Sequence, residues 1–336
     1  MTHVTAPPRV GLVGLGRTGS HLLERFSSGG PLRIVAGWDD APERIRLAES
    51  LGVNAVGKLE SLATSVDLDV LWIARQMAFS NADLIAKCLK FGKHVIVESP
   101  LSLSPADARR AFYEARERDL RLLVHCPRRD EESFRQALSV AKSGALGMIR
   151  AAKFVSWGYG LWPSCVGNRL RQRDAEDWPA TTVIRLMSHA LDQLLHLVPP
   201  HPHRAFATAR FSPFKDPSAG QPEPAAALAL AIEFADGTRA ELDLRLDSPV
   251  PFHSGWVLMG DRGGFADARR YSLTDEGEVF DSSVAPGEAE FDSFACLAQQ
   301  LRTRERNAVE EARAVTVVVL LDAARRSLES RQVIEL

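Results

Sequence analysis

The sequence predicts an α/β protein whose N-terminal part is a doubly wound parallel sheet. Short apolar runs alternate with helix-length amphipathic segments from residue 9 to residue 125. A Gly-x-Gly-x-x-Gly run, Gly14 to Gly19, lies between the first strand and the first helix. A carboxylate pair, Asp39-Asp40, follows the second strand, about twenty residues past the glycines.

Arg9-Val10-Gly11-Leu12-Val13, bounded by prolines and glycines, reads as a buried parallel strand. Leu22, Leu23 and Phe26 give the helix behind the glycines its apolar face. A second strand, Leu32–Trp38, and a helix, Ala41–Leu51, follow, with Pro42 suited to the helix start. The alternation continues through strand Val53–Val56, helix Leu59–Ser65, strand Val70–Ala74 and helix Asn81–Phe91. It closes with strand His94–Glu98, helix Pro105–Arg118 and strand Leu122–His125. Further on, Ala225–Phe234 and Thr238–Leu246 are strand-like and joined through Asp236-Gly237, a hairpin signal. The alternation from Ala240 to Leu246 places charges on one face and apolar groups on the other.

In the glycine run, Gly14 permits the tight turn, Gly16 admits a pyrophosphate and Gly19 lets helix and strand pack closely. With Leu15, Arg17 and Thr18, these residues form the expected phosphate cradle, the opening amides of the helix facing the anion. Asp39 is placed to accept hydrogen bonds from an adenosine ribose, and Asp40 adds a second negative charge that would repel a 2′-phosphate. NAD is therefore the expected cofactor and NADP the less favoured one. Asp40 also fits an ordinary helix-start acid.

Composition bounds the partners. The 336 residues, 45% hydrophobic and 25% charged, describe a globular chain of about two domains. Forty-one basic and forty-three acidic side chains leave a net charge of −2 and no basic excess for a nucleic acid. The four cysteines show no CxxC spacing, Met1–Arg9 holds no apolar leader segment, and Val315–Leu321 is too short for a membrane span. A cytoplasmic protein without membrane or nucleic-acid partners is expected.

Gly92-Lys93-His94-Val95-Ile96-Val97-Glu98-Ser99-Pro100-Leu101 resembles the G-K-H-V-x-x-E-K-P signature of the glucose–fructose oxidoreductase, inositol dehydrogenase and rhizopine-catabolism (Gfo/Idh/MocA) family. The resemblance extends through Val124–Phe134, Ser143-Gly144-Ala145-Leu146-Gly147-Met148-Ile149, Trp256–Gly264 and Ala323–Ser330. It implies an N-terminal Rossmann domain, 1–125, and a substrate and oligomerisation domain, 126–336, built on an open, largely antiparallel sheet. It implies also that the C-terminal helix, about 307–330, packs back near the Rossmann domain. A homodimer or homotetramer through the C-terminal sheet is expected.

The family resemblance implies hydride transfer at a secondary alcohol or ketone of a sugar, cyclitol or related small polar metabolite. Ala74, Arg75, Glu98 and Ser99 fall at its cofactor-binding positions. Its members typically use the lysine of E-K-P with an Asp and a His spaced D-x-x-x-H. Here the lysine position is Ser99, the Asp position is Arg185, and the histidine is kept as His189. A T-P-x-x-x-H pattern appears only as Ala74-Arg75-Gln76-Met77-Ala78-Phe79-Ser80-Asn81. His189 is the expected acid/base, since imidazole titrates near neutral pH, whereas Ser99 is no base without an activator. The alternatives are a buried structural histidine and, for the whole chain, an atypical relative that binds a dinucleotide without redox chemistry.

Asp192 either orients His189 or caps interior polar contacts. Arg185 suits a substrate carboxylate or phosphate, or lies on the surface. Arg128, with Arg129 next to it, either clamps an anion or pairs with Asp130, Glu131 or Glu132. Trp162, with Trp157 and Tyr159, offers a face for a sugar ring, and Arg169, Arg171 and Arg173 follow in the same expected substrate-covering loop. His196, His201 and His203 lack carboxylates or thiolates at ligand spacing, so no metal is expected.

Overall fold

The computed structural model describes residues 6–75, 81–157, 181–198, 201–211, 225–245, 253–273, 279–285, 292–303 and 306–336. The chain divides into two compact units, one of Met1–Cys126 with Asp292–Val318, the other of Pro127–Phe291 with Val319–Leu336.

The first unit is built on six parallel strands: β1 (Arg9–Val13), β2 (Arg33–Trp38), β3 (Asn54–Ala55), β4 (Val70–Ile73), β5 (His94–Glu98) and β6 (Leu122–His125), ordered β3-β2-β1-β4-β5-β6. Order reverses at β1, the switch point at which such sheets bind ligands. Helices α1 (Arg17–Phe26), α2 (Pro42–Ser50), α3 (Leu59–Ala63), α4 (Asn81–Lys90) and α5 (Pro105–Glu117) connect the strands. Pro105 opens α5 and the Ser104 hydroxyl accepts the Asp107 amide, a stop and a cap that the sequence spells out.

The strands are apolar on both faces because both are covered. Val13, Leu71, Ile73, Val95 and Val97 pack against Leu62, Ile85, Leu89 and Phe112. Leu12, Trp72 and Ile96 pack on the opposite face with Leu22, Leu23 and Phe26. Each such side chain contributes about 1.5–3 kcal/mol by leaving water. Helix α6 (Glu132–Lys142) belongs to the second unit, but α8 (Ser293–Thr303) returns to the first. Leu297, Ala298 and Leu301 of α8 complete the Trp72 face, which the division at 125/126 did not anticipate. The long helix α9 (Ala308–Ser330) adds Ala314 and Val318 to the other face.

The second unit carries a nine-stranded sheet ordered β14-β13-β12-β11-β7-β10-β9-β8-β15. Its strands are β7 (Ile149–Trp157), β8 (Pro202–Phe211), β9 (Ala225–Phe234), β10 (Arg239–Arg245), β11 (His253–Gly260), β12 (Gly263–Ala266), β13 (Arg269–Leu273), β14 (Val279–Ser283) and β15 (Ile334–Glu335). Pairing is antiparallel except between β7 and β10. The β9–β10 hairpin turns at Asp236-Gly237, with the Asp236 carboxylate accepting from the Thr238 amide at 3.0 Å. In β10, Ala240, Leu242 and Leu244 are buried while Arg239, Glu241 and Arg245 are exposed. Helix α7 (Thr181–Leu197) contacts the sheet at β9 and β10, and α6 contacts β11.

Candidate coenzyme and substrate sites

Each end of the glycine run in the first unit shows why no side chain is tolerated there. Gly14 has φ +104°, and a Cβ on it would lie 2.5 Å from Arg75 Cγ. A Cβ on Gly19 would lie 2.2 Å from the Gly14 carbonyl oxygen, which is how α1 and β1 come so close. Gly16 caps α1 without a side-chain hydrogen bond, and no acid occupies the first turn. That leaves a positive helix end beside the loop of Leu15, Arg17 and Thr18.

Asp39 holds this loop in shape. Its buried carboxylate accepts the Leu15 amide at 2.7 Å and the Ala41 amide at 2.9 Å. Arg44 approaches it to 3.4 Å, and the guanidinium also lies 3.7 Å from where a Gly16 Cβ would stand. Asp40 is more exposed and pairs with Arg75 Nη2 at 2.9 Å, while the Arg75 guanidinium lies over the Trp38 ring. Hydrogen bonding with Asp39 holds the Asp40 carboxyl below its usual range, with Arg75 adding to the effect against desolvation. Ala74 is buried beside this pair, its amide donating to the Val13 carbonyl. Sequence reasoning placed Asp39 on a ribose; here one oxygen also accepts from the glycine loop at Leu15 and the other from the start of α2 at Ala41.

At the far side of the same sheet edge, Glu98 and His125 are register partners in β5 and β6. Glu98 Oε1 accepts from Trp72 Nε1 at 2.9 Å and lies 3.0 Å from His125 Nδ1. His125 Nε2 lies 3.5 Å from the Ser293 hydroxyl. The Ser99 amide donates to the His125 carbonyl at 3.0 Å, and the Ser99–Pro100 peptide is cis. His125 thus grips the Glu98-Ser99 junction with both its ring and its backbone. It escaped sequence analysis, although two strand-ending polar residues at adjacent sheet positions were a usable signal.

In the second unit, His189 is buried on α7. Asp192, one turn on, forms a two-pronged ion pair with Arg129, Nε to Oδ2 at 2.7 Å and Nη2 to Oδ1 at 2.6 Å. Arg128 pairs with Glu131 at 3.2 Å, and its carbonyl accepts from Gln193, whose own Oε1 accepts from Trp256 Nε1 at 2.8 Å. Burial raises the Glu131 carboxyl above its usual range, against the pull of Arg128. Arg129, expected to clamp an anion or to pair with Asp130, Glu131 or Glu132, is held by Asp192, and Gln193 and Trp256 were not singled out as site residues.

Several expected site positions cannot be placed. The Arg185 side chain lies outside the described residues, as do Trp162 and the remainder of 158–180, and so does the stretch 76–80 within the degenerate T-P pattern. His196 Nδ1 lies 2.8 Å from the Asp192 carbonyl and His203 pairs with Glu335, so neither converges on the other. Among the described residues no group of three or more His, Cys, Asp or Glu could hold a metal ion. No described helix is long and apolar enough to cross a membrane.

Residues 8–126 match the family described as an oxidoreductase family with an NAD-binding Rossmann fold, GFO_IDH_MocA. Residues 8–126 thus resemble the NAD-binding part of that family. NAD is the cofactor named in that description, in agreement with the Asp39-Asp40 expectation. The myo-inositol 2-dehydrogenase of Thermotoga maritima is 28% identical over 150 residues, covering 44% of this chain and 45% of that protein. The chain thus spans less than half the length of that relative. The rhizopine catabolism protein MocA of Rhizobium meliloti is 23% identical over 313 residues, 92% of each chain. An oxidoreductase from Agrobacterium radiobacter, solved with NAD+, L-tartaric acid and magnesium, superposes with a TM-score of 0.81 at 17% identity over 98% of each chain. That likeness establishes the Gfo/Idh/MocA-type fold for both units, an N-terminal parallel sheet and a C-terminal, mostly antiparallel one.

Proposed function

We propose that the protein is an NAD-dependent oxidoreductase acting at a secondary alcohol or ketone of a sugar, cyclitol or related polar metabolite, with His189 as its acid/base. The observation that carries this reading is the phosphate cradle, whose Gly14 and Gly19 positions leave no room for a Cβ. Gly14, Leu15, Gly16, Arg17, Thr18 and Gly19 would hold the pyrophosphate. Asp39, Asp40, Ala74 and Arg75 would hold the adenosine side, and Glu98 and Ser99 the nicotinamide side. NAD when bound supplies the hydride acceptor or donor.

His189 takes the hydroxyl proton as the carbinol becomes a carbonyl and returns it in the reverse direction. Arg128, Arg185 and Asp192 supply charge for an anionic or polar substrate group, and Trp162 a face for a ring. A cyclitol is the first class to test, since the Thermotoga relative is named for myo-inositol. Hydroxy acids come second, since L-tartaric acid accompanies NAD+ in the Agrobacterium structure.

The exposed face of the nine-stranded sheet, with Phe206, Met259 and the Lys153–Glu241 pair, fits a homodimer or homotetramer contact. The buried free thiol of Cys88 accords with a cytoplasmic location.

The test is thermal stabilisation by NAD+, NADH and NADPH, followed by a cyclitol, sugar and hydroxy-acid panel read by the absorbance of reduced nicotinamide. Stabilisation by NAD+ or NADH and turnover lost in His189→Ala are expected. Absence of any shift at millimolar cofactor would overturn the reading, and full activity in His189→Ala would overturn the assignment of the base.

A further inference from the structure

Glu98 ends β5 at the carboxyl edge of the parallel sheet. The glycine run follows β1, and the Asp39-Asp40 pair follows β2 on one side of it. The β4–β5–β6 side is thereby left for the nicotinamide half of a dinucleotide.

The charge at Glu98 is unusual in its company. Its side chain is 11% exposed, and its partners are an indole N–H and an imidazole. The His125 ring lies between Glu98 and Ser293, with Nδ1 at 3.0 Å from the carboxylate and Nε2 at 3.5 Å from the hydroxyl. The Trp72 and Phe294 rings pack on His125 at centroid distances of 5.1 Å. Among the described residues no lysine or arginine pairs with Glu98. The next residue, where the family signature has lysine, is the neutral Ser99.

We propose that Glu98 is a fixed negative charge that makes the protein bind the oxidised, cationic nicotinamide ring more tightly than the reduced, neutral one. This favours the enzyme form that carries oxidised cofactor and is poised to accept hydride, and it rests on the NAD-dependent reading above. A charge pair separated by about 6–12 Å of protein, at an effective dielectric of about 20, is worth roughly one to two orders of magnitude in relative affinity.

The experiment compares dissociation constants of NAD+ and NADH for the full chain by calorimetry, without substrate and without turnover. Glu98→Gln keeps the shape and removes the charge, so the ratio Kd(NADH)/Kd(NAD+) is expected to fall about tenfold. Ser99→Lys restores a cation beside an intact Glu98 and is expected to lower the same ratio; it serves as the independent variant should Glu98→Gln fold poorly. Ratios within twofold of the unaltered protein in a folded variant, with both cofactor forms still bound, would overturn the inference and leave the NAD reading standing. Failure of the unaltered protein to bind either form would overturn both.

Discussion

Arg129 and Asp192 stand 63 positions apart in the chain yet meet through two parallel hydrogen bonds of 2.7 and 2.6 Å. The pair fastens α7, which carries His189, to the short 3-10 turn at Pro127–Asp130. Both side chains are largely buried, so removing one partner strands a charge in the interior. Arg129→Ala is expected to destabilise the protein by about 3–5 kcal/mol, read by chemical denaturation. Arg129→Lys is expected to recover only part of this, because an ammonium cannot reproduce the fork.

Gly19→Ala brings a methyl group to 2.2 Å from a backbone oxygen, and backbone cannot rotate aside as a side chain can. The variant is expected to separate α1 from β1 and to raise the NAD dissociation constant at least tenfold, about 1.4 kcal/mol. Calorimetric titration measures it. Affinity equal to the unaltered protein would show that the cradle tolerates a Cβ after all.

Asp39→Ala removes the acceptor from two buried amides, Leu15 and Ala41. Each amide left unsatisfied costs about 1–3 kcal/mol, so a clear fall in melting temperature and weakened NAD binding are expected together. Asp39→Asn retains one acceptor oxygen and is expected to lie between the two.

The Asp40 carboxyl is depressed by its hydrogen bond with Asp39 and by Arg75. Its folded pKa lies below the unfolded value, so its contribution to stability is present above about pH 4 and is lost as pH falls through the folded pKa. Melting temperatures of the protein and of Asp40→Asn are expected to converge as pH falls below about 4. Parallel curves over that range would contradict the pairing.

Burial pushes the Cys88 thiol up to about 12. It is expected to resist alkylation at pH 8 in the folded protein and to react once denatured, which peptide mapping resolves. Its raised pKa makes its contribution to stability complete below about pH 8.5 and progressively lost above it.

Much of the first sheet was legible because its chemistry is local. Val10–Val13 and Val95–Val97 are too apolar for anything but strands covered on both faces. The glycines lie next to the turn they make, and Asp236-Gly237 lies in its own hairpin. Three features were not legible, each because it depends on distant chain meeting. The parallel pairing of β7 with β10 brings Ala151 against Arg239. Leu297 of α8 fills a face begun by Leu12, and no local pattern says to which unit a late helix returns. At the site, sequence supplied Glu98, Asp192 and Arg129 but neither His125 nor the Arg129–Asp192 pairing, since a partner is set by register and rotamer. The double duty of Asp39 was hidden for the same reason: spacing places a carboxylate near a loop without saying what its oxygens accept.

That double duty bears on how fast a coenzyme can dock. The Leu15 amide is already taken by Asp39 at 2.7 Å, so the loop holds its curvature with no ligand bound. Little conformational search remains at the moment of encounter. Association is then governed by collision and orientation, and the amide hydrogen of Leu15 exchanges slowly with solvent even in the free protein.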